Sequence, residues 1–450
     1  MADSPSLAAA FQERTITTGR LDGWRRLELD GVPIWVRPEV PDWFVPNPRA
    51  DEILCDLLDG ATAAEAASRS RDAWGTSEEA AWDDVQRVLS RLPAREARPV
   101  VPRGEVLRLD ELGELWLHVT NRCNLSCTHC MFRSSPHDCL ELPTDRLARI
   151  VAEARDLGCR IFYLTGGEPM VHPGFVPTCG DILADPGAHV VVLTNALGVP
   201  GLARELAELP RDRVHFQVSL DCPRGHHDEV RGQGCYERVL ARTHRLVDMG
   251  FPVALAMAVD GRNAHHMAEL VEAAADIGVA SVHYLWHFVR GGGTTVARAP
   301  VAALFQGLRE ASAEAARRGV QIDNVEIVAS QVFALPGTRH DLSNAGWESL
   351  AVGPDDRVYP TAAMVLDERV ACGPAGAPLA DVWRSSPVLD ELRRASTAEA
   401  SLSADPLAYL AGGGDVDHSF FAGGRFAGSD PYRKLTDLLA LWSIASDAAP

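Results

Sequence analysis

Three cysteines lie close together in the chain, in a spacing that suits metal binding. Cys123, Cys127 and Cys130 follow an apolar stretch, Leu115 to Val119, whose composition predicts a strand. Three thiolates on one short loop can bind three irons of a cubane iron–sulfur cluster and leave the fourth iron open. The alternative is a tetrahedral zinc site, which would need a fourth ligand such as His129, Cys139 or a distant cysteine. Both interpretations make this loop a metal centre.

A second motif follows the next predicted strand. The sequence Thr165-Gly166-Gly167-Glu168-Pro169 combines two glycines, which let backbone groups approach closely, with a carboxylate that can pair with a cation. Asn195 follows the third predicted strand, and Ser219 and Asp221 come at the end of the fourth. In barrels of alternating strands and helices, the chemistry lies at the C-terminal ends of the strands. We therefore expect these residues to share one site.

The cysteine spacing and the Gly-Gly-Glu-Pro motif together resemble the radical S-adenosylmethionine (SAM) superfamily. The resemblance implies a 4Fe-4S cluster on the three cysteines and SAM as the second cofactor. It implies that Glu168 receives the SAM ammonium group, that His129 lies against the adenine, and that an arginine pairs with the SAM carboxylate. Most relatives have glycine after the aspartate, where this chain has Cys222. The residues implied to bind SAM are His129, Gly166, Gly167, Glu168, Pro169, Asn195, Ser219, Asp221, Arg231 and Arg238.

The resemblance also implies a reaction. In that family SAM binds the open iron, and an electron from the reduced cluster cleaves its sulfonium bond. The resulting 5′-deoxyadenosyl radical takes a hydrogen atom from an unactivated carbon. An external electron donor such as flavodoxin or ferredoxin is then expected as a partner.

Alternating apolar and amphipathic segments predict the scaffold. Short apolar runs alternate with helical patterns from residue 101 to about 300, which is typical of a parallel sheet. The sequence therefore predicts an α/β fold with a partial (βα)6 TIM barrel as its central domain, residues 101–300. The predicted strands lie near 115–120, 161–164, 189–194, 213–219, 252–259 and 279–288, with helices near 144–157, 200–209, 235–249 and 263–277.

The first hundred residues predict a separate winged-helix-like α+β module. Asp30-Gly31 suits a two-residue hairpin turn, and Pro33 suggests that the second strand is an edge, with helices following directly. About three helices follow, and Arg95–Gly104 predicts a linker. This order resembles the leader-recognition element of ribosomal peptide pathways, such as the peptide chaperone of pyrroloquinoline quinone biosynthesis. The resemblance implies that residues 1–100 bind the leader of a precursor peptide by adding it to the hairpin edge.

Residues 301–450 predict an α+β extension. The pattern suggests a helix over 301–318, a strand over Val325–Val328 and a closing helix after Pro431. The stretch 345–360 resembles the SPASM or twitch region of radical SAM peptide maturases, where cysteines bind auxiliary clusters. Ser343 and Thr361 stand where such cysteines are expected, which predicts a degenerate extension without a cluster. Cys372 is then a candidate hydrogen-atom donor, with a plain buried cysteine as the alternative.

The glycine-rich tail between residues 411 and 432 is the last unusual segment. Its glycines and interleaved aromatic residues suggest a lid over a substrate, with a surface loop as the alternative. Asp415, Asp417 and His418 are candidate metal ligands, although three ligands so close in sequence rarely converge without others.

Charge and composition exclude some classes of protein. A formal net charge of −19 and a pI near 5.2 argue against nucleic-acid binding, which depends on clustered lysine and arginine. No uninterrupted apolar run reaches the 18 residues expected of a membrane helix, and the first residues do not suggest a signal peptide. We therefore expect a cytoplasmic protein with no membrane partner, in which the ten cysteines are free thiols.

The sequence thus predicts a radical SAM enzyme that modifies a ribosomally synthesised precursor peptide. The modification is a crosslink, an epimerisation or another C–H oxidation. One alternative is a radical SAM enzyme on a small molecule, as in cofactor or heme maturation. Another is a non-catalytic zinc- or peptide-binding protein.

Overall fold

Two β-sheets organise the structure. The computed structural model describes residues 14–15, 21, 23–93, 99–399 and 404–448. Within these residues, one sheet has four strands and lies near the N-terminus, and the other has nine. None of the helices in the described ranges is both long and apolar enough to cross a membrane.

The first sheet is antiparallel and is followed by three helices. Its strands are β1 (Arg14–Thr15), β2 (Arg25–Leu29), β3 (Val32–Arg37) and β4 (Asp42–Phe44), which pair in chain order. Asp30 and Gly31 form the predicted turn between β2 and β3, with φ values of 52° and 80°. The helices are α1 (Pro48–Leu58), α2 (Ala63–Trp74) and α3 (Glu78–Arg91). They pack on Trp24 and Trp35, which are at most 1% exposed.

Two expectations for this sheet are wrong. Strand β3 lies between β2 and β4, so Pro33 is not in an edge strand, and a second hairpin does follow the first. The proline is tolerated because β4 pairs only with Trp35–Arg37, which leaves no described strand opposite Pro33 on that side. The second hairpin escaped prediction because β4 has only three residues. Of the predicted linker, residues 95–98 lie outside the described ranges, and α4 (Arg103–Val106) is at its end.

Six parallel strands form the predicted partial barrel. They are β5 (Glu114–Thr120), β6 (Ile161–Gly166), β7 (His189–Thr194), β8 (Val214–Ser219), β9 (Val253–Val259) and β10 (Ser281–Trp286), paired in that order. The helices between them are α5 (Thr144–Asp156), α6 (Phe175–Leu183), α7 (Ala203–Ala207), α8 (Arg224–Arg231), α9 (Cys235–Asp248) and α10 (Met267–Asp276). The predicted fold class is confirmed.

Alternation along the strands separates two faces of this sheet. Side chains that face the helices, such as Leu117, Leu164, Val192 and Leu255, are 0% exposed and form the main core. Side chains at the intervening positions face the inside of the barrel, and several of these are half-buried. The interior of the barrel is therefore accessible, whereas the layer between strands and helices is closed.

The last third of the chain extends the same sheet at both ends. After α11 (Val301–Arg318), β11 (Gln321–Ile322) adds to β10; β12 (Ser349–Val352) pairs in parallel with β5, and β13 (Val358–Tyr359) pairs with β12. The other helices are α12 (Asp323–Val332), α13 (Leu379–Ser385), α14 (Pro387–Arg394), α15 (Val416–Gly423) and α16 (Arg433–Asp447). The strand predicted over Val325–Val328 is wrong, because these residues lie within α12. Four residues with three apolar side chains, Val325, Ile327 and Val328, do not distinguish a strand from a helix turn.

Candidate functional site

The cysteine loop follows β5 at the C-terminal end of the barrel. Cys123 is 8% exposed and Cys127 and Cys130 are half-buried, and all three thiols are free. Backbone hydrogen bonds fix the loop on two sides: the amide of Cys123 donates to Ser135 O over 3.0 Å, and the amide of Thr128 donates to Val230 O over 2.9 Å. The loop is thus held against α8 by its backbone.

The Gly-Gly-Glu-Pro loop lies directly beside the cysteine loop. The amide of Gly167 donates to Thr120 O over 2.7 Å, and the amide of Glu168 donates to Arg122 O over 3.0 Å. A Cβ on Gly166, whose φ is +125°, would lie 2.3 Å from Thr120 O, and a Cβ on Gly167 would lie 2.3 Å from Arg122 O. Both glycines are therefore required by the close approach of the two loops.

The carboxylate of Glu168 is fully buried and bound by the protein. The hydroxyl of Thr194 donates to Oε1 over 2.7 Å, the amide of Met170 to Oε1 over 3.1 Å, and the amide of Asn195 to Oε2 over 2.8 Å. Burial raises the pKa of this carboxyl, and the same three hydrogen bonds lower it. Glu168 thus ties the end of β6 to the end of β7, and its role toward the SAM ammonium stays a prediction.

Asn195 links this pair of loops to the first cysteine. Its Nδ2 donates to Asn124 Oδ1 over 2.7 Å and lies 3.8 Å from Cys123 Sγ. Pro169 begins a short 3-10 helix, Pro169–Val171, and is buried. Ser219, at the end of β8, is half-buried. The structure therefore brings together the predicted residues of the first three strand ends around Cys123.

A buried ion pair lies on the other side of the cysteine loop. Arg231 Nε donates to Asp221 Oδ2 over 2.6 Å, and His129 Nε2 lies 3.6 Å from the same oxygen. Burial alone would raise the pKa of Asp221, but the Arg231 guanidinium and the nearby His129 hold it below its usual range. Burial lowers the pKa of His129 to about 4, and its Nδ1 is buried without a described partner.

The structure separates the two candidate arginines. Arg231 has a side chain 11% exposed and lies between Asp221 and Cys127; burial raises the pKa of that thiol, and the charge of Arg231 opposes the rise. Arg238 lies on the exposed face of α9, where its Nε donates to Gly234 O over 3.2 Å. Only Arg231 joins the cluster of strand-end residues.

The donor set suits an iron–sulfur cluster. Burial raises the pKa of Cys123 to about 12 and that of Cys127 to about 11, so a bound cation has to displace the thiol protons. Across the described residues, no three His, Cys, Asp or Glu side chains are arranged to share one metal ion. A cubane places each thiolate on a different iron, so it does not require such an arrangement.

A loop that sequence reasoning did not assign to the site covers the cysteine loop. It follows β10, and its amide at Gly292 donates to Cys130 O over 2.8 Å. Arg290 donates to the carbonyl oxygens of Ala363 and Val365, and its guanidinium lies 5.0 Å from the centre of the Phe132 ring. The only signal in the sequence is the run of three glycines after Arg290.

Cys372 lies apart from these residues. Its amide donates to Val358 O over 2.8 Å on the outer side of β13, and its thiol lies 3.6 Å from Val370 O. It is 5% exposed, and burial raises its pKa to about 12. These contacts are typical of a packing residue, and the hydrogen-donor role stays a prediction.

The three candidate metal ligands of the tail have separate partners. Asp415 caps α15 by accepting from the amide of His418 over 2.8 Å, and Asp417 accepts from the hydroxyl of Thr361. His418 stacks on Phe288 with ring centres 3.9 Å apart. The segment predicted to be a lid thus contains helix α15, and these side chains serve its packing.

The match to known families falls on this part of the chain. Residues 117–274 match the family model of the Radical SAM superfamily. This segment is a radical SAM domain, and the cofactors of that family are a 4Fe-4S cluster and SAM.

The relatives include proteins named for the biosynthesis of a peptide and proteins named for the synthesis of a small molecule. The antilisterial bacteriocin subtilosin biosynthesis protein AlbA of Bacillus subtilis (strain 168) is 26% identical over 250 residues, 54% of this chain and 53% of AlbA. The AdoMet-dependent heme synthase of Methanosarcina barkeri (strain Fusaro / DSM 804) is 32% identical over 179 residues, 39% of this chain and 50% of that enzyme. The chain thus spans about half the length of these curated relatives.

A solved structure shares the fold over nearly the whole chain. The crystal structure of Streptococcus suis SuiB bound to precursor peptide SuiA is similar with a TM-score of 0.58 and 13% sequence identity. The similarity covers 89% of this chain and 95% of SuiB. At this identity the likeness shows the fold alone.

The close contact between the cysteine loop and the Gly-Gly-Glu-Pro loop predicts that one added methyl group at Gly167 destabilises the protein. Gly167→Ala should cost about 1–3 kcal/mol of stability, because its Cβ would overlap Arg122 O. We expect iron bound after anaerobic reconstitution to fall by more than half. Gly180→Ala is the matched control, since nothing lies within 4 Å of its added Cβ and it should bind iron normally. Equal iron content in the two variants would contradict this account of the loop contact.

Substitution of Arg231 and substitution of Arg238 should differ in their effect on the free energy of unfolding. Arg231→Met leaves Asp221 buried without its cation and should lower the free energy of unfolding by about 3–5 kcal/mol. Arg238→Met removes only an exposed hydrogen bond and should change that free energy by less than about 0.5 kcal/mol. Anaerobic urea denaturation of both variants measures the difference. Similar midpoints would show that the Asp221–Arg231 pair does not stabilise the site.

Proposed function

We propose that this protein is a radical SAM enzyme that modifies a ribosomally synthesised precursor peptide. The observation that carries the proposal is the convergence of the cysteine loop, the Gly-Gly-Glu-Pro loop and Asn195 around Cys123, within the segment that matches the family. AlbA is named for the biosynthesis of a bacteriocin, and SuiB was crystallised with a precursor peptide. These relatives favour a peptide over a small molecule as the substrate.

Each strand-end residue has a proposed task. Cys123, Cys127 and Cys130 hold the cluster, and the bound cofactors supply one-electron chemistry that removes a hydrogen atom from an unactivated carbon. His129 and the Asp221–Arg231 pair orient SAM from one side of the loop, with Ser219 beside them. The glycine loop and Asn195 orient it from the other. The buried walls around them exclude water from the reacting atoms.

The N-terminal module, residues 1–100, is the proposed binding site for the precursor's leader. An added strand needs a free sheet edge, and β1 and β4 are the outer strands of the described sheet, each paired on one side. We assign the leader to the outer edge of β4, because a cavity lies beside it. A cavity of about 210 Å³ lies there, lined by Trp43 and by residues 331–338, including Leu335, which is 83% exposed.

The remaining assignments follow from the same proposal. Residues 101–300 form the catalytic barrel and 301–450 the extension, which has lost its auxiliary cluster. Flavodoxin or ferredoxin supplies the electron, and the enzyme works in the cytoplasm, where thiols stay reduced.

Iron and sulfide analysis tests the assignment of the cluster. The parent, reconstituted anaerobically, should bind about four irons and cleave SAM to 5′-deoxyadenosine when reduced with dithionite. Cys123→Ala, Cys127→Ala and Cys130→Ala should each lose most of the iron and lower the cleavage rate at least about 100-fold, since each removes one of three ligands. Cys139→Ala, an exposed cysteine on the same loop, is the control and should behave as the parent.

Two outcomes would contradict this assignment. A Cys127→Ala protein that still formed 5′-deoxyadenosine would exclude the cluster on these cysteines. A colourless parent that bound zinc would favour the non-catalytic alternative.

A substitution beside β4 tests the leader site. Leu335→Asp places a charge in the apolar cavity and should weaken binding of candidate precursor peptides encoded near the gene by about tenfold or more. Val106→Asp, at a position 61% exposed on α4, is the control and should bind as the parent. Fluorescence anisotropy with labelled peptides measures both. Unchanged binding by Leu335→Asp would place the leader elsewhere, and no binding by the parent would favour a small-molecule substrate.

A further inference from the structure

The interior of the barrel has an aromatic wall on its first two strands. Trp116 of β5 and Tyr163 of β6 lie opposite each other in the register, and their rings stack with centres 3.8 Å apart and an angle of 3°. Both residues are half-buried, whereas the helix-facing Leu115 and Leu117 beside them are 0% exposed. Trp116 also packs against Ala351, Tyr359 and Val365 of the extension, and the part of the pair that stays exposed faces the inside of the barrel.

A carboxylate lies beside this aromatic wall, at the N-terminal end of β5. Glu114, two residues before Trp116, points to the same face of the sheet and is half-buried. Trp116 Nε1 and Asn344 Nδ2 lie 3.5 and 3.4 Å from its Oε1, which are long distances for hydrogen bonds. Ile161, opposite Glu114 in the register, is 37% exposed, so this end of the barrel is open to solvent.

Glu114 has no basic partner among the described residues. No lysine, arginine or histidine nitrogen there lies within 4.0 Å of it, whereas Asp221 and Asp260 each pair with an arginine. Burial, the charge of Glu114 and a hydrogen bond to Glu114 raise the pKa of Tyr163 to about 12. The described partners of the Glu114 side chain, Tyr163, Trp116 and Asn344, are thus all neutral donors.

We propose that Glu114, Trp116 and Tyr163 form a subsite for a lysine or arginine side chain of the substrate peptide. The aliphatic part of such a side chain packs along the aromatic wall, and its cationic end pairs with the Glu114 carboxylate. A cationic substrate residue also agrees with the net charge of −19. This inference rests on the proposed function, because it assumes a peptide in the barrel.

The position of the subsite defines what it does. Trp116 lies four residues before Thr120, which places it about 13 Å below the strand end that leads to the cysteine loop. The cationic side chain is therefore bound away from the reacting carbon. The subsite selects a residue near the modified one and sets its depth in the barrel, so Glu114 is a positioning residue.

Binding of two model peptides tests the subsite. The probes are acetyl-Gly-Gly-Lys-Gly-Gly-amide and the same peptide with norleucine, which keeps the aliphatic stem and lacks the charge. The full-length protein, reconstituted with its cluster and saturated with SAM, is titrated with each probe by isothermal calorimetry at low ionic strength. We expect the lysine peptide to bind at least about tenfold more tightly than the norleucine peptide, and added NaCl to reduce the difference.

Variants distinguish binding of the lysine by the Glu114 carboxylate from attraction to the net negative charge of the protein. Glu114→Gln should reduce the binding of the lysine peptide about tenfold and leave that of the norleucine peptide within twofold. Glu348→Gln, which removes an exposed carboxylate at the same end of the barrel, is the matched control and should change neither affinity more than twofold. Trp116→Leu should weaken both peptides, since both lose the wall. Iron content and the thermal midpoint verify that each variant is folded.

Either of two results overturns the subsite: equal affinity of the parent for both peptides, or equal loss in Glu114→Gln and Glu348→Gln. The test is separate from that of the proposed function, because it measures binding without turnover. If precursor peptides are not modified while the lysine preference stands, the proposed function fails and the cation subsite remains.

Discussion

The site depends on the close contact between the loops that follow the first two barrel strands. Gly166 and Gly167 bring the second loop against the carbonyl oxygens of Thr120 and Arg122, at distances that leave no room for a side chain. Through Glu168 the same loop is bound to Thr194 and Asn195, and Asn195 reaches Cys123. Three strand ends are thus joined by backbone contacts and one buried carboxylate. The geometry of the cysteine loop is set by the sheet rather than by the loop's own sequence.

Much of the barrel could be predicted, because each of its strands is a short apolar run bounded by turn residues. The run over 189–194 was predicted at its observed bounds, and so was the helix over 301–318. Short elements were missed for a physical reason. Strand β4 has three residues, and the segment Val325–Val328 within α12 has only four, so periodicity carries no information there. Their structure is decided by tertiary pairing.

For the candidate site, residue types were easier to predict than their partners. The cysteines, the glycine motif and Asp221 could be located because strand ends converge in a barrel. The sequence did not reveal that Glu168 accepts hydrogen bonds from three donors of the protein. It also did not reveal that Arg231 is buried against Asp221 while Arg238 lies on the exposed face of its helix. Both facts depend on how a helix or loop packs on its neighbours. Glu114 belongs to no motif, and Arg290 is marked in the sequence only by the three glycines that follow it.

Arg290 has a mechanical consequence for the protein. Its guanidinium is bound to the carbonyl oxygens of residues 363 and 365 and lies 5.0 Å and 5.4 Å from the ring centres of Phe132 and Phe421. One side chain therefore connects the segment just after the cysteines to two distant parts of the C-terminal extension. Because the lengths of hydrogen bonds vary by only a few tenths of an ångström, the extension cannot shift without breaking these bonds or pulling on Phe132. The extension thus acts as a brace on the cysteine loop, and its own stability limits how rigidly that loop is held.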